Sequence, residues 1–150
     1  MEVAEFKNIV WDYTRKIADS MNCVFCPVSE NHGLTMMQTR ILMELYQYGP
    51  HTIGSLGDSV CVAGANISAM CKKLEGQGLL ERVRNREDER VVRVVLTRLG
   101  IETVLEIDRS FNDKLSKHLM SETGETFEDI ILGLQKLNDL LQRISIVEKK

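Results

Sequence analysis

The residues with the clearest chemical potential lie in a short charged segment, RNREDER, at positions 84–90. Guanidinium groups are permanently charged donors, suited to phosphate oxygens and to the negative potential of a DNA minor groove. The segments 79–83 and 91–96 on either side favour β-strands, the second being rich in valine, so the charged residues form the tip of an antiparallel hairpin. The arginines concerned are Arg84, Arg86 and Arg90.

A helix predicted over 65–77 precedes this hairpin. Its apolar residues recur with helical spacing and must face a core; they are Ile67, Met70, Cys71 and Leu74. The opposite face is small and polar at its start and basic at its end, comprising Ala65, Asn66, Ser68, Ala69, Lys72 and Lys73. Small residues allow close approach to base edges, and lysines suit the flanking phosphates. The alternative is an ordinary solvent-facing helix surface.

Further helices must position these residues. Apolar spacing predicts helices at 3–21, 99–119 and 126–146, with a loop at 22–33. Thr35 and Gln38 have the spacing of a capping box at the start of a helix that ends before Gly49. Thr52 caps a short helix up to Val60, and residues 61–64 form the turn before the helix at 65–77.

This order of elements predicts a mainly α fold with a small β-hairpin wing. The unit at 34–98 is a winged helix-turn-helix module, and residues 1–22 and 99–150 form a helical dimerisation region within one domain, 1–150. The three outer helices carry broad apolar stripes that a module of this size cannot cover, which favours a two-fold homodimer. A monomeric helical bundle is the alternative.

The distribution of charge supports a nucleic-acid partner. The chain has a net charge of −3, but residues 61–98 carry +3 and the segments before and after carry −3 each. Phosphates respond to local positive charge, because charges more than about 10 Å away are screened. An arginine-rich hairpin that is merely solvated remains the alternative.

The sequence argues against membrane insertion and export. No run reaches the about 20 apolar residues of a transmembrane helix, and the N-terminus lacks the basic and apolar regions of a signal peptide. We therefore expect a cytoplasmic protein without a membrane partner, whose four cysteines start out reduced.

Cys23 and Cys26 form a C-x-x-C pair, which can bind a metal or close a reversible disulfide. A zinc site would need two more ligands, drawn from Glu30, His32, His118 or a partner chain. The third interpretation is that these two cysteines have no specific function. Cys71 is predicted to be a small core residue, and Cys61 lies in the turn before the helix at 65–77.

The pair does not indicate an enzyme. A dithiol oxidoreductase places C-x-x-C after a strand in a βαβ setting, whereas here it follows a helix. No Ser-His-Asp arrangement, glycine-rich phosphate loop or carboxylate pair suggests another reaction, and we expect no required cofactor. A winged-helix module that docks protein without specific DNA binding is the alternative function.

Several stretches resemble the MarR family of transcriptional regulators. They are LTMMQTRILMEL, TIGSLGDSV, NISAMCKKLEGQGLLERV and REDERVVRVVLTRLG. The most specific residues are those of Leu-Glu-x-x-Gly-Leu, Asp-x-Arg and Leu-Thr-x-x-Gly: Leu74, Glu75, Gly78, Leu79, Asp88, Arg90, Leu96, Thr97 and Gly100.

The resemblance implies a dimeric repressor or activator that binds double-stranded DNA at an inverted-repeat operator. The helix at 65–77 would enter the major groove and the wing would approach the minor groove or the backbone. Asp88 would orient Arg90 through an ion pair. A small molecule, metal or oxidant would be sensed between the helical dimerisation region and the winged helix-turn-helix module. Relatives often carry polar residues where Ala63, Ala65 and Ala69 stand, so Asn66, Ser68 and apolar contact with thymine methyls become more important here.

Overall fold

A computed structural model of the chain describes residues 1–84, 88 and 90–147. Its elements in chain order are α1 (Val3–Asn31), α2 (Met36–Tyr48), β1 (His51–Thr52), α3 (Ile53–Val60), α4 (Gly64–Gly76), β2 (Leu80–Arg84), β3 (Val92–Leu96), α5 (Arg98–Leu119) and α6 (Gly124–Val147). Mainly helical structure with one hairpin confirms the predicted fold class.

Local capping starts two of the helices as predicted. The Thr35 hydroxyl accepts the Gln38 amide at 3.2 Å and the Gln38 side chain accepts the Thr35 amide at 2.9 Å, which completes the capping box of α2. The Thr52 hydroxyl accepts the Ser55 amide at 3.1 Å at the start of α3. These bonds satisfy first-turn N–H groups that have no partner within a helix.

The loop predicted at 22–33 is wrong, because α1 continues to Asn31. Pro27 cannot donate to the Cys23 carbonyl, but the next residues, Val28 and Ser29, are buried in the core and hold this turn in place. The turn that follows the helix contains Gly33, whose φ is +69°. Gly33 donates to the Glu30 carbonyl at 2.9 Å, in the left-handed conformation that commonly ends helices.

A three-stranded antiparallel sheet, in the order β1-β3-β2, forms the wing and its base. The hairpin pairs Leu80 with Leu96 and Arg84 with Val92, within one residue of the predicted strand limits. Strand β1 was not predicted. Its two residues pair with β3, His51 opposite Val94, and so attach the start of α3 to the hairpin.

The core lies between α2, α3, α4, the sheet and the first half of α5. It consists mainly of aliphatic side chains; its most completely buried members are Ile41, Leu42, Leu56, Ile67, Leu74, Leu80, Val94 and Ile107. The hairpin contributes one side of it, because Val94 is fully buried. The elements that carry the candidate site therefore pack against one common hydrophobic core.

The chain forms two compact units, Met1–Asn112 and the part that begins at Asp113. The first contains the winged module and α1. The second contains the end of α5 and α6, and Thr123 caps α6 by accepting the Thr126 amide at 3.3 Å. In the part of the chain that the structure describes, none of the helices has the length and apolarity needed to cross a membrane.

Candidate nucleic-acid interface

Helix α4 has one buried and one exposed face, as the apolar spacing predicts. Ile67, Cys71 and Leu74 are fully buried, while Met70 is half-buried. The predicted reading face is accessible: Ser68 is half-buried and the others are exposed, namely Ala65, Asn66, Ala69, Lys72 and Lys73. The helix starts at Gly64, without a side-chain cap from Ala63. Its first turn thus combines accessible small residues with the positive end of the helix dipole.

A close crossing fixes α3 against α4. A Cβ added at Gly57 would lie 2.8 Å from the Val62 carbonyl oxygen and 3.3 Å from Ile67 Cγ2, so this position accepts only glycine without movement. Cys61 ends α3 in the left-handed conformation, with φ of 57°. The close approach at Gly57 and the left-handed conformation of Cys61 together set the angle between α3 and α4. Sequence analysis had predicted the turn but not the role of Gly57.

The end of α4 is joined to the start of α5. Gly78, with φ of +73°, donates to the Glu75 carbonyl at 2.9 Å and ends the helix. Thr97 reaches this corner from the other side of the hairpin: its hydroxyl donates to the Gly78 carbonyl at 2.6 Å and its amide donates to the Leu79 carbonyl at 3.1 Å. The same hydroxyl accepts the Gly100 amide at 3.0 Å and so caps α5.

Gly100 makes this junction possible. A Cβ at Gly100 would lie 1.9 Å from the Leu79 carbonyl oxygen, which no backbone could tolerate without moving. The Leu-Thr-x-x-Gly pattern noted in the sequence therefore has a physical cause. It locks the end of the reading helix, the base of the wing and the start of α5 into one corner, defined here as the Gly78–Gly100 corner.

A second connection joins the wing to α4 through Arg82. Its guanidinium Nη2 donates to the Ser68 carbonyl at 3.4 Å, and its Nε lies 3.5 Å from a Glu75 carboxylate oxygen. Sequence analysis missed this residue. Alternation along β2 would have placed it on the same face as Leu80, whose side chain is buried, and so toward the helix rather than toward solvent.

The described part of the wing presents Arg84, Asp88 and Arg90, all of them exposed. The expected ion pair from Asp88 to Arg90 is replaced by a different contact. Asp88 Oδ1 accepts the backbone amide of Arg90 at 3.0 Å, and the Asp88 carbonyl accepts the Val91 amide at 3.0 Å. In the part of the wing that the structure describes, Asp88 therefore contacts the backbone of Arg90 rather than its guanidinium. Arg86, also predicted at the tip, lies outside the described residues.

The cysteines differ strongly in environment, and all four are free. Burial raises the pKa of the Cys71 thiol and outweighs the opposing effect of Arg82, which confirms its reading as a core residue. Cys61 is exposed in the turn. Cys23 is exposed and Cys26 half-buried, and both lie within α1 rather than at the predicted junction with a loop.

The zinc ligands suggested by the sequence are not brought together within the described residues of one chain. No group of three or more His, Cys, Asp or Glu side chains there has the arrangement of a metal site. His32 is engaged elsewhere: its Nδ1 lies 2.9 Å from the Val28 carbonyl oxygen, and its Nε2 lies 3.9 Å from a Glu106 oxygen. A site completed by a partner chain stays a prediction.

Comparison with known proteins identifies transcriptional regulators as relatives of this chain. The model of the MarR family matches residues 34–92. The HTH-type transcriptional regulator SarZ of Staphylococcus haemolyticus is 25% identical over 118 residues, which cover 79% of this chain and 72% of SarZ. The uncharacterised HTH-type transcriptional regulator YwhA of Bacillus subtilis is 30% identical over 97 residues, which cover 63% of this chain and 70% of YwhA.

The fold also has a close counterpart among solved structures. A MarR family protein from Bacillus stearothermophilus matches with a TM-score of 0.80 at 22% identity, over 95% of this chain and 99% of that chain. At this level of identity the match establishes the shared architecture. It extends over α1 and α6 as well as the winged module, because nearly all of both chains is included.

Proposed function

Because this chain belongs to the MarR family of transcriptional regulators, we propose that it binds double-stranded DNA as a homodimer on an inverted-repeat operator. The observation that carries the proposal is the accessible face of α4, which is small and polar at its start and basic at its end, beside an exposed arginine-bearing wing. Helix-turn-helix proteins place such a helix in the major groove.

Each part of the α4 face has a distinct role in this proposal. The Asn66 amide and the Ser68 hydroxyl contact base edges, and the Ala65 and Ala69 methyl groups contact thymine methyls. The lysines, one turn or more further along, contact phosphates on either side and add affinity without sequence preference.

The wing contributes through Arg84 and Arg90. Both residues are exposed, and Asp88 accepts the backbone amide of Arg90. An arginine in a narrowed minor groove experiences enhanced negative potential. The wing therefore adds affinity and a preference for DNA shape.

Side chains that a single chain leaves exposed support the proposed dimer. In α1, Phe6, Ile9 and Ile17 are 39–44% exposed, and in α6, Ile130, Ile131 and Leu134 are 52–55% exposed. On each helix taken by itself, exposed apolar surface of this kind is typical of an interface. A two-fold dimer would cover it and present two reading helices to half-sites about one turn of duplex apart.

We further propose that a small-molecule effector binds between α2 and α5. A cleft of about 260 Å³ lies there, lined by Met43, Tyr46, Gln47, Val104, Leu105 and Asp108. Mostly apolar walls with a few polar groups are typical of small-ligand sites. Because α5 begins at the Gly78–Gly100 corner, a ligand on this helix is placed to affect the wing.

Selection of binding sites from a random DNA pool tests the proposal. We expect an inverted repeat with half-sites about 10 base pairs apart, and affinity that falls steeply with salt concentration. Arg90→Ala should weaken binding to every sequence and reduce the salt slope by about one. Arg109→Ala, which removes an exposed arginine of α5, is the matched control and should change neither.

The same experiment has a clear contrary result. If no sequence is enriched and affinity does not depend on salt, the chain is a protein-docking winged module and the proposed function is wrong. If a sequence is enriched but Arg90→Ala leaves the salt slope unchanged, the role of the wing is wrong while DNA binding stands.

A further inference from the structure

The two cysteines of the C-x-x-C pair lie three residues apart on a continuous helix. Cys23 is exposed, Cys26 is half-buried, and neither forms a disulfide. Side chains three apart on a helix are neighbours on one side, with Cβ atoms about 5–6 Å from each other. The two thiols therefore face the same volume of space.

This spacing distinguishes between the reactions open to a pair of thiols. A disulfide requires Cβ atoms about 3.5–4.5 Å apart, so closing one here would draw the helix together by roughly 1 Å or more. An atom that bridges the two sulfurs fills the gap instead and leaves the backbone unchanged. Helical geometry at this site therefore favours a bridging ligand over a disulfide.

Core contacts hold this turn of α1 in its helical form. Phe25, between the two cysteines, packs edge-on against Phe111 of α5, with ring centroids 4.8 Å apart and an interplanar angle of 79°. Val28 and Ser29, which follow, are buried. Drawing the cysteines together would disturb these contacts, whereas binding a ligand on the side of α1 that faces away from the core would not.

The surroundings also select the class of ligand. Zinc prefers four ligands, but His32 already contacts Val28 and Glu106, and the described residues contain no group of three metal-binding side chains. Thiolates bind soft ions in preference to hard ones. A site made of two thiols suits a thiophilic centre that needs only two protein ligands.

We propose that Cys23 and Cys26 form a bidentate thiol site for monosubstituted trivalent arsenicals. Arsenic in this state is pyramidal and binds two sulfurs at a bent angle, which suits two thiols on one side of a helix. In the reaction, two S–H groups and one As=O group give two As–S bonds and one molecule of water, without change in oxidation state. This site is separate from the DNA-binding face and does not depend on the proposed function.

The other cysteines provide internal comparisons. Cys61 is exposed but has no second cysteine beside it in the sequence, so it can form only one sulfur bond. Cys71 is fully buried, and the raised pKa of its thiol keeps it protonated and unreactive. A bidentate adduct on the folded chain is therefore expected at Cys23 and Cys26 alone.

The test uses the full-length reduced protein and phenylarsine oxide, followed by intact mass measurement under native conditions. We expect one adduct per chain, which resists excess monothiol but is removed by a small dithiol. Cys23→Ser and Cys26→Ser should each weaken binding about 100-fold or more, because the second sulfur then no longer acts at high effective concentration. Cys61→Ser, the matched single-thiol control, should bind as the wild type does.

Two results would overturn the site. One adduct per two chains would indicate thiols contributed by different subunits. An adduct that survives in Cys23→Ser would place the ligand elsewhere. None of these measurements involves DNA, so their failure is distinct from failure of the proposed function.

Discussion

The winged module and the outer helices contain the same kinds of apolar side chain in opposite environments. In the module, Ile41, Leu56 and Val94 are completely buried within one chain. In α6, Ile131 and Leu134 are 55% and 52% exposed, although their helical spacing is just as regular. Periodicity therefore predicts that a helix has an apolar side, but it does not say whether that side meets the same chain or another one.

The two regions also differ in what holds them together. The winged module is closed by specific contacts at the Gly78–Gly100 corner, where a hydroxyl, two amides and a glycine without Cβ meet within hydrogen-bond distance. The outer helices leave many apolar side chains exposed beside surface ion pairs such as the one between Arg15 and Asp12. Stability of the module should thus depend on single atoms, and stability of the outer helices on the apolar area that the proposed dimer would cover.

Gly100→Ala is the strongest test of the module. The added Cβ would lie 1.9 Å from the Leu79 carbonyl oxygen, so the backbone of the corner must move. We expect a loss in free energy of unfolding of about 3 kcal/mol or more, at or above the usual cost of overpacking. Thermal or denaturant unfolding measures it.

Gly76→Ala is the control for Gly100→Ala. Its Cβ would meet no atom within 4 Å and its φ is not in the left-handed region. Alanine in a helix is favoured over glycine by about 0.5–1 kcal/mol, so this variant should be unchanged or slightly more stable. Equal destabilisation by the two substitutions would contradict the corner.

Introducing negative charge into the apolar face of α6 tests whether this face forms the proposed dimer interface. If the chain is the proposed dimer, replacing both Ile131 and Leu134 with glutamate should convert it to a monomer and weaken operator binding about 100-fold, because the two half-sites then bind independently. Light scattering gives the mass, and DNA titration gives the affinity. Circular dichroism shows whether the winged module remains folded.

The matched control adds the same charge to polar positions of the same helix. Gln135→Glu together with Asn138→Glu alters two exposed residues of α6 and should leave a dimer. If the apolar-to-glutamate variant also stays dimeric, the exposed face of α6 is not the interface.

Thr97→Val should have a smaller effect on the corner. It removes the hydroxyl that donates to the Gly78 carbonyl and accepts the Gly100 amide, while keeping the shape of the side chain. Loss of a helix cap and one hydrogen bond costs about 1–2 kcal/mol. Thr97→Ser retains both contacts and should restore most of the stability; if it does not, the methyl group rather than the hydroxyl is responsible.

Much of the module could be predicted from sequence because its signals are local. The spacing of Thr35 and Gln38 predicted a capping box, and the spacing of Ile67, Cys71 and Leu74 predicted the buried side of α4; both are confirmed. Such patterns depend on residues within one or two turns of each other. The accessible reading face then followed directly, as the opposite side of the same helix.

The features that escaped prediction depend on contacts between distant segments. Pro27 suggested a loop, but burial of Val28 and Ser29 against the core outweighs the hydrogen bond that proline removes. Strand β1 has two residues and no sequence signal, and it exists because His51 meets Val94. The effect of tertiary packing on these segments could not be judged without the fold.

Arg82 gives the smallest expected effect on stability in the comparison of the winged module with the outer helices, because it belongs to the module but is partly exposed. A partly exposed ion pair adds little stability, so Arg82→Gln should change the free energy of unfolding by less than about 1 kcal/mol.

The contact of Arg82 with the Ser68 carbonyl, however, ties β2 to the reading helix. We therefore expect the ratio of operator to random DNA affinity to fall, by about 10-fold if the lost positioning costs about 1.4 kcal/mol. Arg82→Lys keeps the charge but should not fully restore the ratio, since lysine lacks the fork that reaches both Ser68 and Glu75. Equal loss of affinity for all sequences would instead make Arg82 a phosphate contact rather than a residue that positions the reading helix.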